Sequence, residues 1–274
     1  MSRSQYWLPS MRWGQRMNDG QVTDAMVGAL SDPFDSCHMG VTAEYVASRW
    51  EISREDQDQL AEESHQRAHR DTEEGYFKEQ IVPISIKQRK QMISFGKDEH
   101  IRSDATTESM AKLRTVFKED GSVTAGNASG LNDATSAVIL MERSEAEKEG
   151  KEILGRLVGY AHSGVDPKYM VIGLVPVIQK CLESTGLTIK DLDVIELNEA
   201  FAAQALAVTR DLKLPMDSTN PNGSGISLGH PIGATGCLIT VKLLYELKRI
   251  QGRYGLVSMC IGGGQGIASI FERV

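Results

Sequence analysis

The sequence has little that would crosslink it or carry it into a membrane. Four cysteines, Cys37, Cys181, Cys237 and Cys260, are scattered through 274 residues with no CxxC pair. That spacing supports neither a disulfide framework nor a zinc site. No apolar run approaches the roughly 18 residues of a membrane-spanning helix, and the opening MSRSQYWLPS lacks the apolar core of a secretory signal. Basic residues are in deficit, 30 Lys+Arg against 37 Asp+Glu. This argues against nucleic acid as the main partner, because phosphate backbones are bound by an excess of Lys and Arg. Aromatic residues are scarce at 6%, yet 41% of the chain is hydrophobic and 24% charged, which supplies a packed core and excludes a disordered chain. These balances predict a cytoplasmic α/β protein with no membrane partner and no metal.

What is present changes character along the chain. Residues 1–40 place Trp7 and Trp13 with Met1, Met11, Met17 and Met26 among Gly, Pro and Asp without periodicity, an irregular segment expected to cover something else. Helices follow. Thr42 is positioned to cap TAEYVASRW, and Ser53 with Asp56 resembles a capping box opening a helix from Arg54 to about Glu74, with Gly75 at its end. Leu60, Ala61, Ser64 and Ala68 share one narrow face of that helix while its other positions are mostly charged, so it should pack by one stripe and stay wet elsewhere. The run 81–87 reads as an edge strand because of Pro83. From about residue 120, strand-like runs (135–141, 154–161, 193–197, 254–260, 266–272) alternate with helical ones (175–183, 199–212, 237–251), the pattern of an α/β layered domain closed by a hairpin.

Three clusters offer chemistry. Asn198 follows the strand DVIEL, where open α/β sheets bind ligands. It could hold a substrate oxygen or a water, although the local pattern favours an ordinary helix cap. The run NGSGISLGHPIGATG (222–236) holds five glycines and His230 ahead of Pro231. Such a loop lets backbone approach a ligand, and it matches neither a Walker A loop nor a dinucleotide fingerprint. Cys260 leaves an apolar strand into Ile-Gly-Gly-Gly. It reads either as a small buried hydrophobe or as an acid/base thiol beside bare N–H groups, whose influence would favour the thiolate. His65 and His69 have the i, i+4 spacing of a metal-binding helix, but no Glu follows His65. The basic run 87–90 reads as a solvated turn able to meet a phosphate.

Taken together, CHMGVTAEYVA (37–47), SREDQDQLA (53–61), VTAGNASGLNDA (123–134), LNEAFAAQA (197–205), the 222–236 loop and CIGGGQG (260–266) resemble the thiolase family in order and over nearly the whole chain. The resemblance implies an acyl-CoA C-acyltransferase, of the kind that condenses two acetyl-CoA to acetoacetyl-CoA or reverses that reaction. It also implies a layered αβαβα fold. His230 resembles the histidine that activates the nucleophilic cysteine and helps form an oxyanion hole. Asn198 resembles the asparagine that holds the water completing that hole, and Cys260 the cysteine that moves the α-proton. The Gly262 N–H belongs to a second hole. Ser129, Arg89, Ala125 and Ala128 resemble coenzyme A contacts, with Met39, Met170 and Phe201 toward the acyl group. Coenzyme A enters as substrate, and no tightly bound cofactor is implied.

The sequence also departs from the family. Family chains begin roughly a hundred residues earlier, so the resemblance implies that the first half-domain, with its nucleophilic cysteine, is largely missing. On this reading 1–120 is a covering loop domain, 121–147 the last piece of the first half, and 148–274 a complete second half. The strand at 135–141 would then lose its neighbours, and the chain should be a homo-oligomer (dimer or tetramer) or a complex with a separate first half. Two further possibilities follow: a truncated, inactive acyl-CoA binder, or one subunit of a split enzyme.

Overall fold

Polar and glycine-rich stretches keep the start of the chain to local structure. The computed structural model describes all residues 1–274. Strand β1 (Tyr6–Trp7) pairs with β2 (Thr23–Asp24), and Asp24 caps α1 (Ala25–Ala29) by accepting from the Met26 N–H at 2.8 Å. Trp7 lies over Gly28, but Trp13 is 93% exposed and covers nothing. Helix α2 (Met39–Arg49) begins three residues before the expected Thr42, because His38 Nδ1 accepts from the Gly40 N–H at 3.0 Å and serves as its cap.

Helix α3 (Arg54–Glu73) starts on Ser53, whose Oγ accepts from the Asp56 N–H at 3.0 Å. Its expected stripe of Leu60, Ala61, Ser64 and Ala68 is buried. The rest is less wet than its charge suggested, since Gln57, Asp58, His65 and Asp71 are buried as well. Beyond it, β3 (Ile84–Gln88) starts only after Pro83 and pairs with β4 (Gln91–Phe95) in an isolated two-stranded ribbon, so it is not the edge of a larger sheet. The short α4 (Thr107–Met110) and α5 (Arg143–Lys148) bracket an irregular stretch. Within that stretch, 135–141 is no strand. It pairs with nothing, and Ile139 is 90% exposed, because no strand of the protein runs beside it.

The remaining residues build the main sheet. Its strands are β5 (Arg156–Gly164), β6 (Val194–Leu197), β7 (Tyr254–Ile261) and β8 (Gln265–Glu272), in the order β5-β8-β7-β6. Strands β7 and β8 form the expected hairpin, turned by Gly262–Gly264, where Gly263 and Gly264 have φ of 76° and 85°. Only β6 and β7 are parallel. Between them the chain runs through α7 (Ala202–Leu212), α8 (Gly225–Leu228) and α9 (Thr235–Ile250), while α6 (Leu174–Thr185) joins β5 to β6.

Side chains alternate across β6, as a strand covered on both faces requires. Ile195 and Leu197 join Leu256, Ile270 and residues of α2, α6 and α7 in one cluster. Val194 and Val257 meet Ile239, Leu243 and Leu247 of α9 on the other side. The result is three layers, helix, sheet, helix. The second sheet of the five-layer αβαβα arrangement is not formed within these residues.

Candidate active site

Two candidate residues stand on the same crest. Leu197 pairs with Ser258 across the parallel β6–β7 ladder, and the Asn198 N–H donates to the Ser258 carbonyl at 3.0 Å. Asn198 and Cys260 thus leave adjacent strands at their carboxyl ends, where such sheets bind ligands. Asn198 is not the cap of α7. That helix starts at Ala202 with Phe201 in the capping position, and no side chain caps it. Asn198 is fully buried, and neither its Nδ2 nor its Oδ1 makes a hydrogen bond within the chain. A buried amide with both ends unused is costly unless something else binds it.

Cys260 is buried, and burial pushes its thiol up to about 11. The thiolate favoured by the neighbouring glycine amides in the sequence reading is therefore not the resting form. Met39 lies over Gly262, its Cε 2.8 Å from where a Cβ would stand, and Met39 and Phe201 pack against the cluster that contains Met170 and Cys260. Phe201 is also bridged to Ala128, and the Ser129 N–H donates to the Ala200 carbonyl at 3.0 Å. The structure therefore brings Met39, Met170, Phe201, Ala128 and Ser129 toward one region. Ala125 is exposed, and Arg89, at φ 56°, sits at the exposed tip of the β3–β4 ribbon.

His230 follows α8. Its Nδ1 lies 2.7 Å from Thr235 Oγ1, and that hydroxyl donates to the Pro231 carbonyl at 2.9 Å. The hydroxyl has one proton, so Nδ1 carries the imidazole proton and Nε2 is left as the acceptor. Burial lowers the imidazole to about 4, and the ring rests neutral. The glycine-rich loop ahead of it reaches the β6 crest, since a Cβ on Gly225 would stand 2.8 Å from Asn198 Oδ1.

A buried polar network fixes this loop, and most of it was not found in the sequence. Glu199 Oε2 accepts from Ser64 Oγ at 2.7 Å, and its Oε1 accepts from Asn220 Nδ2 at 3.0 Å. Burial pushes the Glu199 carboxyl upward against these bonds. Ser224 Oγ donates to the Leu197 carbonyl at 2.7 Å. Lys242 Nζ, on α9, pairs with Glu196 Oε2 at 2.8 Å and also donates to the Gly223 carbonyl. The one available signal was Ser64, a polar residue set among alanines on the buried stripe of α3. The GNASG stretch is held in a similar way. Glu44 accepts from the Ser122 and Val123 N–H groups, and Asn127 Nδ2 donates to Asp58 Oδ1 at 2.8 Å.

Two family models match the chain, described as the thiolase N-terminal domain over residues 1–144 and the thiolase C-terminal domain over residues 151–273. The chain belongs to the thiolase family. A relative named beta-ketothiolase BktB, from Cupriavidus necator, is 63% identical over 275 residues, a match covering 100% of this chain and 70% of the relative. The crystal structure of the Bacillus anthracis acetyl-CoA acetyltransferase matches with a TM-score of 0.95 and 49% identity, over 98% of this chain and 68% of that one. That of human mitochondrial 3-ketoacyl-CoA thiolase in complex with CoA matches with 0.91 and 42%, over 100% and 68%. The thiolase fold therefore extends over this chain. The N-terminal match over 1–144 corrects the expectation of a first half-domain largely missing, while the chain spans about 70% of the length of the Cupriavidus relative.

Other candidates have other partners. His65 Nδ1 accepts from the Arg102 N–H at 3.2 Å, and burial lowers His65 to about 4. A surface cavity of about 310 Å³ beside the β3–β4 ribbon is lined by Thr72, Lys78, Lys97 and Asp98 and by none of the site residues. No helix is long and apolar enough to cross a membrane.

These histidines set a pH dependence. Unfolded, His65 and His230 would take up protons near pH 6.5; folded, they stay neutral down to about 4. The unfolded state binds more protons between those limits, so stability contributed by both rings is full above 6.5 and lost as pH falls toward 4. Glu196, raised to about 7 by burial, acts in the opposite direction between 4.5 and 7. Glu199, also raised by burial, acts with Glu196, so the share of any rise in urea midpoint from pH 4.5 to 6.5 that belongs to the histidines is the share a histidine variant removes. His65→Asn, which keeps an acceptor for Arg102, should flatten that rise; an unchanged slope would show that His65 is not buried neutral.

Proposed function

We propose that this thiolase-family acyltransferase works as an acetyl-CoA acetyltransferase, condensing two acetyl-CoA or cleaving acetoacetyl-CoA with coenzyme A. The observation that carries this reading is Asn198, fully buried with both amide atoms unused, on the crest where Cys260 leaves the neighbouring parallel strand. Its amide, directly or through a water, would face a thioester oxygen as that oxygen gains negative charge.

Cys260 suits the α-carbon. In the cleavage direction a thiolate adds to the 3-keto carbon, and the carbon–carbon bond breaks with the acyl group left on that sulfur. The freed electron pair forms the enolate of acetyl-CoA, and the Cys260 S–H donates a proton to its α-carbon. In the synthetic direction the Cys260 S–H first passes its proton to the bare Nε2 of His230, and the resulting thiolate takes the α-proton. The C–H pair becomes the enolate, whose oxygen is met by the imidazolium Nε2–H and by the Asn198 amide or its water, while the Gly262 N–H serves a second oxyanion hole. His230, with Nε2 bare, accepts the proton of a thiol that must become a nucleophile. As an imidazolium it then donates from Nε2 to the oxygen. Ser129, Ala125, Ala128 and Arg89 would contact coenzyme A, and Met39, Met170 and Phe201 the acyl group. The coenzyme A complex of the human relative supports this side of the reading.

The cysteine that accepts an acyl group is not among the four. Cys181 lies in the core, Cys237 lies within α9, and burial with Asp32 and Asp35 raises Cys37. Cys260 is committed to the proton. We infer that the chain forms the enolate by itself and that full thiolysis calls on a further thiolate. Incubation of the 274-residue chain with acetyl-CoA in D2O, followed by NMR, should show deuterium entering the α-methyl group, with no thiolysis of acetoacetyl-CoA. Exchange no faster than in buffer would overturn the functional reading, and thiolysis by the chain alone would overturn the inference about the nucleophile.

We also infer that the chain works as an oligomer or complex through the stretch containing Val138, Ile139, Leu140 and Met141, all exposed. Light scattering at micromolar concentration should give a mass above the monomer's. A monodisperse monomer with a cooperative melt would contradict this.

A further inference from the structure

His230 is held by its backbone as well as by its ring, and that hold leads to residues with no role so far. Its N–H donates to Asn132 Oδ1 at 3.2 Å. Asn132 Nδ2 lies 3.2 Å from His100 Nδ1, and His100 Nε2 lies 3.1 Å from the Ile226 carbonyl. A carbonyl only accepts, so His100 is protonated on Nε2 and its Nδ1 is an acceptor. The amide nitrogen of Asn132 must then face His100 and its oxygen must face His230. Every polar atom in this chain of contacts has one consistent role. Gly229, at φ 90°, passes directly over the Asn132 amide, and a Cβ there would stand 2.4 Å from its Cγ. The approach is open only to glycine.

His100 is itself placed from the other side. Its N–H donates to Asp98 Oδ1 at 2.9 Å, and its ring centroid lies 6.4 Å from that of His65 on α3. Both ends of the glycine-rich segment are thus tied to one relay, α8 at the Ile226 carbonyl and the catalytic loop at the His230 N–H. His100 is bounded by Asp98, Asn132 and the Ile226 carbonyl, with the His65 ring beside it.

We propose that Asn132 and His100 are positioning residues for His230, Asn132 fixing its backbone and His100 fixing the orientation of the Asn132 amide. The proposal rests on the functional reading of His230 given above, and its test separates the two. Asn132→Ala and His100→Ala each remove one link. His100→Gln can still accept from Asn132 through Oε1 and donate to Ile226 through Nε2.

The experiment measures acetyl-CoA α-deuterium exchange by the 274-residue chain, together with the ring nitrogen signals of His230 in histidine-labelled protein. Asn132→Ala and His100→Ala should each lower the maximal exchange rate about ten- to a hundred-fold, the loss that misplacing a catalytic group produces. The acetyl-CoA concentration at half-maximal rate should stay unchanged, the His230 ring signals should move, and His100→Gln should restore both rate and signals. Equal rates and unmoved His230 signals in both alanine variants would overturn the proposal, as would His100→Gln behaving like His100→Ala. If the wild-type chain shows no exchange, the functional reading fails, and the His230 signals across the same variants still decide the positioning roles. Circular dichroism melts confirm that each variant is folded.

Discussion

Replacing His230 by Ala is expected to lower α-deuterium exchange into acetyl-CoA by about 10²–10⁴-fold, the range lost with a positioned acid–base group. Burial keeps the imidazole neutral and the Cys260 sulfur protonated, so the site rests without charge. Charge develops only when substrate arrives, and two groups are poised for it: Nε2 of His230, left bare by the Thr235 contact of Nδ1 so that it can take up a thiol proton and then donate it to the oxygen, and the unused amide of Asn198. Asn198→Ala should cost about 10²–10³-fold, as loss of one oxyanion donor does. Both variants should melt like the parent to within a few degrees. A His230→Ala protein that exchanges at the wild-type rate would remove the imidazole from the mechanism.

The largest effect on stability is expected at Lys242. Its ammonium is buried in α9 against Glu196 at 2.8 Å and also holds the Gly223 carbonyl at the head of the glycine-rich loop. Such pairs are weak net stabilisers, but removing one partner leaves the other charge buried and unpaired, a loss of about 3–5 kcal/mol. Lys242→Met should therefore lower the unfolding free energy by about that amount at pH 8. With its counter-charge gone, Glu196 should be protonated more readily, so the loss should shrink as pH falls and Glu196→Gln in the same chain should recover much of it. Urea melts at pH 8 and pH 5 would check both statements. A Lys242→Met protein as stable as the parent at pH 8 would show that the pair is not desolvated in solution.

Features governed by local chemistry were legible in the sequence. The Ser53 cap, the β7–β8 hairpin with its glycine turn and the alternation that builds the main sheet all depend on residues within a few positions of one another. Features decided by distant partners were not. Asp58, His65 and Asp71 carry charge or polarity on α3 and read as wet, but Asn127, Arg102 and Asn222 come from far along the chain to satisfy them. Residues 135–141 have the composition of a strand and no neighbour to pair with, so propensity alone did not make one. Thr42 was a plausible cap, but His38 performed that function four residues earlier through its ring nitrogen. At the site, the motifs singled out Asn198, His230 and Cys260 as candidates. Local pattern favoured a helix cap at Asn198, and only the start of α7 at Ala202 rules that out. Glu196 and Lys242, at the centre of the buried network, sit in runs that read as plain strand and plain helix.

The central claim is that Asn198, His230 and Cys260 serve one acyl-CoA site. A crystal structure of the chain soaked with acetyl-CoA tests it most directly. The thioester oxygen should lie within hydrogen-bonding reach of the Asn198 amide or its bound water and of His230, with the α-carbon beside the Cys260 sulfur and the coenzyme A moiety running past Ser129. Acetyl-CoA bound elsewhere, or an Asn198 amide and a Cys260 sulfur facing away from a thioester bound at this crest, would contradict it.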